Sequence, residues 1–274
     1  MTSSSITPLI CAALFLIAGC STTRPTPQDE QQRRIADLNE RALASVEKGR
    51  SSDADKLLQE SWRLATLLDD RAMQVVTLLN QSRLARRAQH LQDARVFIDK
   101  AQQISGQQGP LFADVAQEQA LLALATGDLT EAQRWATDAY RTEQGAQLGR
   151  RLNLLARVAL LKGERNEARR YAEQALADNN SAGQELERAN ALRLLGIIAT
   201  QTGDWTQAEE QLRAALELDR QQAAPAKIAA DLEALAELAA RQQQPERQQQ
   251  YLQRAQMVRE QLTVGQDAVK KGSE

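Results

Sequence analysis

Three short stretches of this chain repeat one another: Gly127-Asp128-Leu129-Thr130-Glu131-Ala132, Gly163-Glu164-Arg165-Asn166-Glu167-Ala168 and Gly203-Asp204-Trp205-Thr206-Gln207-Ala208. Seven residues after the alanine of each comes another, Ala139, Ala175 and Ala215. The same frame extends to Gly49, Gln89 and Gln243, so that successive starts lie 40, 38, 36, 40 and 40 residues apart. A period of this length means one supersecondary unit used again and again. Such a unit cannot bury its apolar face alone, so its copies must stack.

The rows of the alignment say what the unit is. Five residues past each start stand Ala54, Ala94, Ala132, Ala168, Ala208 and Gln248; twelve past stand Ser61, Ala101, Ala139, Ala175, Ala215 and Ala255. Seven before each start lie Ala42, Ser82, Ala120, Ala156, Gly196 and Ala236, and eleven before lie Leu38, Leu78, Ala116, Leu152, Leu192 and Leu232. Small residues on both sides of a turn let two helices approach closely. Leucines and aromatics beside them fill the groove toward the next pair. Trp62, Trp135, Trp205, Phe97, Tyr171 and Tyr251 fall mostly on second helices and read as such groove fillers. Asp128 with Glu131, and Ser181 with Gln184, have the spacing of capping boxes. Gly109-Pro110, Gly145, Asn179-Asn180 and Ala224-Pro225 punctuate the links. A coiled coil would need an unbroken period of about 3.5 residues, which these breaks deny.

The pattern resembles the tetratricopeptide repeat. The resemblance implies an all-α, right-handed α-solenoid of about six TPR-like helical hairpins over residues 31–262. The units exceed the usual length of roughly 34 residues, so helices or links are longer. The first and last units depart from the pattern at Ser61 and Gln248, as units that cap a stack do. Residues 263–274 are polar and are expected to form a frayed tail.

The chain opens differently. Residues 9–18 are apolar, a run too short for the roughly 20 residues of a membrane span but right for a signal-peptide core. The run ends in Ile17-Ala18-Gly19-Cys20, which resembles the bacterial lipobox. That resemblance implies that residues 1–19 are a cleaved signal peptide and that Cys20 is lipidated. The segment before the apolar run holds no Lys or Arg, a departure from the usual basic start. Ser21 rather than Asp follows the cysteine, which by the lipoprotein sorting rule implies the periplasmic face of the outer membrane in a Gram-negative cell. Residues 20–30 carry two prolines among polar neighbours and read as a tether.

Composition removes most chemistry. Both cysteines, Cys11 and Cys20, lie in the leader, and His90 is the single histidine, so the repeat body lacks thiolates for a metal site or nucleophile. There is no phosphate-cradling glycine motif. Carboxylate pairs such as Asp69-Asp70 and Glu209-Glu210 read as solvated charge, and His90 as an exposed turn residue. A net charge of −2 with mixed signs gives no field for nucleic acid. The expectation is a protein with no cofactor, no metal and no catalysis of its own.

In tetratricopeptide repeats the first helix of each hairpin lines the inner face. Mapped by repeat position, that face carries Asn39, Arg83, Arg86, Arg87, Gln117, Leu121, Arg150, Asn153, Arg157, Asn190, Arg193, Glu233 and Glu237. Its middle is rich in Arg and Asn, which suit carboxylates and extended peptide backbone. It loosely resembles the carboxylate-clamp class of these repeats, without that class's full pattern. Arg83, Arg86, Arg87, Arg150, Asn153, Arg157, Asn190 and Arg193 are the candidate partner-binding residues, for an acidic or C-terminal segment of a periplasmic or outer-membrane protein. The competing possibility is that these arginines pair with acids on neighbouring helices. The expected role is an adaptor that positions an envelope enzyme, a protease or peptidoglycan hydrolase; the alternative is a pilotin-like assembly factor for a pilus, secretion or exopolysaccharide export machine.

Overall fold

The computed structural model describes residues 26–107, 109–143 and 145–271. The leader and Cys20 lie outside these residues. Twelve helices follow one another among them, with no strand. They form six hairpins: α1 (Pro27–Glu47) with α2 (Ser51–Leu67), α3 (Arg71–Arg87) with α4 (Leu91–Ser105), α5 (Phe112–Thr126) with α6 (Leu129–Thr142), α7 (Leu148–Leu161) with α8 (Arg165–Ser181), α9 (Glu185–Thr202) with α10 (Trp205–Gln221), and α11 (Pro225–Arg241) with α12 (Pro245–Lys271). Each helix packs on its sequence neighbours, and the first helices of successive hairpins also touch. Among the described residues no helix reaches beyond that, so the hairpins stack into an all-α solenoid.

Every start in the repeat frame is the same structural event. Gly49, Gln89, Gly127, Gly163, Gly203 and Gln243 all have positive φ, between 58° and 83°, and each reverses the chain between two helices of a hairpin. Glycine takes this conformation without cost. Gln89 and Gln243 adopt it against a penalty of roughly 1 kcal/mol, which explains why the frame holds where its glycine is missing.

The links between hairpins correct two sequence readings. Asn179, Asn180 and Ser181 do not break the chain: α8 runs through all three, and the left-handed residue is Gly183 at φ 65°. Ser181 caps nothing; its hydroxyl donates back to the Ala177 carbonyl at 3.0 Å. Packing overrides local turn tendency here, because Asn179 is buried against Gly149 of α7. The Asp128 cap is present, with its side chain accepting from the Glu131 amide at 2.9 Å. Ala224 and Pro225 open α11, the proline at a position that needs no N–H. At the start of the chain, α1 begins inside the segment read as tether, because Thr26 and Asp29 form a reciprocal cap and Pro27 opens the helix. Residues 26–30 are exposed and add nothing to the core. α12 likewise continues past residue 263.

The small-residue rows are the seams of the solenoid. Ala42, Ser82, Ala120, Ala156, Gly196 and Ala236 are all buried, as are Ala54, Ala94, Ala132, Ala168 and Ala208 across from them. Gln248, on the last helix, is half-buried because no further hairpin covers it. Trp135 is buried, and Trp62, Phe97, Tyr171 and Tyr251 are packed at the edges of apolar clusters. Trp205 departs from the expectation and is exposed, its ring lying over the Gly203 turn.

Ser61 breaks its alanine row for a reason. Asn39, expected on the inner face, lies inside the first hairpin and donates to the Ser61 hydroxyl at 2.7 Å and to the Thr77 hydroxyl at 3.2 Å. Asn80 donates to the Asn39 carbonyl oxygen at 2.8 Å, and Ser61 and Thr77 share a hydrogen bond at 2.8 Å. Buried polar groups need such partners. No described helix is long and apolar enough to cross a membrane.

Candidate binding groove

The inner face holds one deep hollow of about 710 Å³, built on the first helices α5, α7 and α9. Residues three and four apart share a helix face. That spacing puts Arg150, Asn153, Leu154, Arg157 and Leu161 of α7 on one wall. Asn190, Arg193, Leu194, Ile197 and Gln201 of α9 form the facing wall, with Glu187 at its end. Leu121 and Gln117 of α5 close the third side. Six large aliphatic side chains, Leu121, Leu154, Leu160, Leu161, Leu194 and Ile197, make most of the lining apolar.

The candidate arginines separate sharply. Arg86 grips Glu118 in a fork, at 2.8 and 3.2 Å, and Arg83 lies 3.7 Å from the same carboxylate, which is fully buried. Arg87 is exposed at the end of α3, away from the hollow. Arg150 faces Glu187 at 3.9 Å. Arg193 binds two buried carboxylates, Asp231 through Nε at 2.5 Å and Asp219 through its terminal nitrogen, and donates to Asn190 Oδ1 at 2.9 Å. The competing possibility raised by the sequence therefore describes most of these side chains: they are tied to acids of the stack.

Arg157 is different. Among the described residues it makes no hydrogen bond or ion pair. Its guanidinium opens into the hollow, and crowding by the walls lowers its pKa, with the positive charge of Arg86 acting in the same direction. Arg157 is nonetheless exposed to solvent, so its charge stays hydrated and open to an incoming anion. Beside it, Asn153 donates to the Glu187 carbonyl at 2.8 Å and to the Glu187 carboxylate at 3.0 Å, which leaves its buried Oδ1 without a partner. Asn190 donates to the same carboxylate at 2.9 Å. The hollow thus offers one guanidinium without a partner among the described residues and an aliphatic wall. That combination fits a single carboxylate attached to an apolar body.

Of the candidates, the structure gathers Arg150, Asn153, Arg157, Asn190 and Arg193 in the hollow and leaves Arg83, Arg86 and Arg87 outside it. Glu233 and Glu237 lie elsewhere, paired with Arg259 and Arg241. The inner-face mapping missed the acids that neutralise the arginines: Glu118, Glu187, Asp219 and Asp231. A signal existed for two of them. Glu118 is the one charge in the stretch Val115 to Leu122, and Asp231 sits between Ala230 and Leu232, where a charge is costly unless it is paired. Among the described residues no group of three or more His, Cys, Asp or Glu is placed to hold a metal ion.

Residues 143–221, which span α7 to α10, match the tetratricopeptide repeat family. No curated protein matches the sequence. Solved structures do resemble the fold. A Rap protein complexed with Competence and Sporulation Factor superposes with a TM-score of 0.71 at 12% identity, over 86% of this chain and 66% of that one. Aspartyl phosphate phosphatase F from Bacillus subtilis gives 0.62 at 12% identity, over 85% and 72%. BtubC (BKLC) from P. vanneervenii gives 0.57 at 16% identity, over 85% and 92%. At such identities the likeness is one of fold, and it agrees with the six stacked hairpins: the chain is an all-α, tetratricopeptide-like helical repeat solenoid.

Proposed function

We propose that this protein is an adaptor that holds a segment of a partner protein in the α5–α7–α9 groove, and that Cys20 anchors it by lipid to the periplasmic face of the outer membrane. The observation that carries the binding role is Arg157, an exposed cation with no anion of its own among the described residues, in a hollow walled by aliphatic side chains. The repeat match and the Rap-like fold support a role in protein interaction, since that neighbour is itself seen in complex with a factor. The ligand chemistry is one carboxylate, from an acidic residue or a chain terminus, beside a large apolar side chain. The partner in this reading is an envelope enzyme, a protease or peptidoglycan hydrolase, recruited to the membrane. The motif Ile17-Ala18-Gly19-Cys20 supports the anchor. A cysteine carrying more than one acyl chain would hold the domain stably at the bilayer.

A peptide library panned on the chain that follows Cys20 tests the groove. Enriched peptides are expected to carry one acidic residue or a free C-terminus next to Leu, Ile or Phe. Arg157→Glu is expected to weaken them by about 10- to 100-fold, the worth of a charge-assisted hydrogen bond. Arg213→Glu, on the exposed side of α10, leaves them unchanged. Equal binding by the Arg157 variant overturns the assignment. For the anchor, Cys20→Ala in the full chain is expected to abolish labelling with palmitate and release from the signal peptide; continued labelling overturns it.

A further inference from the structure

Successive hairpins meet through two repeat positions, sixteen residues after one turn and twelve before the next. Where α6 meets α7 these positions hold Glu143 and Arg151, opposite charges joined at 3.0 to 3.1 Å. Where α10 meets α11 the same positions hold Asp219 and Asp231, two like charges. Both aspartates are at 0% exposure. Each places an oxygen on Arg193 of α9, and the two carboxyl groups lie within hydrogen-bonding reach of each other. Each also keeps an oxygen, Asp219 Oδ1 and Asp231 Oδ2, that is buried with no partner.

One guanidinium therefore faces two acids where water does not reach. Its five donors are already shared with Asn190. The other charges around the cluster repair the imbalance only in part. Lys227 of α11 attracts Asp219 and favours its charged form, but it donates to the Leu186 carbonyl at 3.2 Å and makes no ion pair with either aspartate. Glu187 of α9 adds negative charge, and Arg150 of α7 is held near Glu187. Two adjacent buried carboxylates with one cation cannot both stay ionised without a large desolvation cost.

We propose that Asp219 and Asp231 hold one proton between them, which makes the α9–α10–α11 junction a pH-sensitive grip on Arg193. The shared proton supplies the donor that the orphan oxygens lack. Its loss leaves two full anions behind a groove-wall arginine and makes that wall more negative. Burial pushes Asp231 up to about 6 and raises Asp219, with Arg193 pulling both the other way. The device does not depend on what the groove binds.

Carboxyl-carbon NMR of the intact, aspartate-labelled chain reads the proton directly. One aspartate signal is expected to titrate near pH 6, about two units above an ordinary aspartate, and the Arg193 Nε–H resonance is expected to move with the same midpoint. Asp231→Asn and Asp219→Asn, each of which mimics the protonated acid, are expected to remove that transition. If every aspartate of the unmodified chain titrates below about pH 5, the proposal fails whether or not the variants fold. A transition near 6 that survives in both variants, or a motionless Arg193 signal, also overturns it.

Discussion

Gly196 and Leu212 touch so closely that a methyl group on Gly196 would lie 2.6 Å from Leu212 Cγ and 3.2 Å from the Leu212 backbone nitrogen. Leu212 is fully buried. This contact belongs to the small-residue seam that joins the two helices of each hairpin. Glycine here is a packing choice, since Gly196 sits in the middle of α9.

Two effects of Gly196→Ala oppose each other. Alanine gains about 1 kcal/mol of helix stability over glycine. Overpacking a dense core costs about 1 to 3 kcal/mol. Because the overlap is with the branch point of a buried side chain and the backbone behind it is already in tight contact, the second effect wins, and urea unfolding is expected to show a net loss of up to about 2 kcal/mol. Adding Leu212→Ala should reverse the sign of the Gly196 change. A single variant as stable as the parent chain would refute the packing account.

Ser61→Ala restores the alanine that the equivalent row carries in every later unit, yet it is expected to destabilise. Asn39 and Thr77 both hydrogen-bond to the Ser61 hydroxyl at 2.7 to 2.8 Å in a buried setting. Stranding them costs about 1 to 3 kcal/mol. Asn39→Leu in the same chain removes the main need for that partner, so the pair of changes should cost less than their sum. Denaturant unfolding of the four proteins of this cycle measures the coupling, and strict additivity would rule it out.

The buried acids give a pH dependence whose sign is set. Asp231 is raised to about 6 from 3.8, so the folded state holds its proton more tightly than the unfolded chain does. The stability this adds is fully present below about pH 4 and is lost as pH rises through about 6. The unmodified chain should therefore lose stability relative to Asp231→Asn across that window, by on the order of 3 kcal/mol. Unfolding curves at pH 4, 5, 6 and 7.5 test it; a constant difference between the two proteins would refute it.

Much of the fold was legible before any coordinates. The repeat frame located all six intra-hairpin turns, because one backbone event recurs there and glycine marks it in four of six cases. The seams were legible because close approach admits only small side chains, and a seam repeats with the turn. The Asn179-Asn180 reading failed for the opposite reason: local turn tendency is weak, and burial of Asn179 against Gly149 outweighs it. Asn39 was misplaced because repeat position assigns a helix face only to within about one residue. In the first hairpin that residue turns inward to a polar network.

The candidate site was legible as a list and not as a charge distribution. Repeat periodicity determined the all-α stack, the turn inside each hairpin and the helices that line the inner face, since those follow from spacing along a single chain. Only the tertiary structure decided which arginines are free. Arg86 meets Glu118 from 32 positions away, and Arg193 meets Asp219 and Asp231 from 26 and 38. Neutralisation depends on distances across helices that no local pattern encodes. Once those pairs form, the basic face read from the sequence reduces to Arg157 in an aliphatic groove, and an acid pair behind its wall.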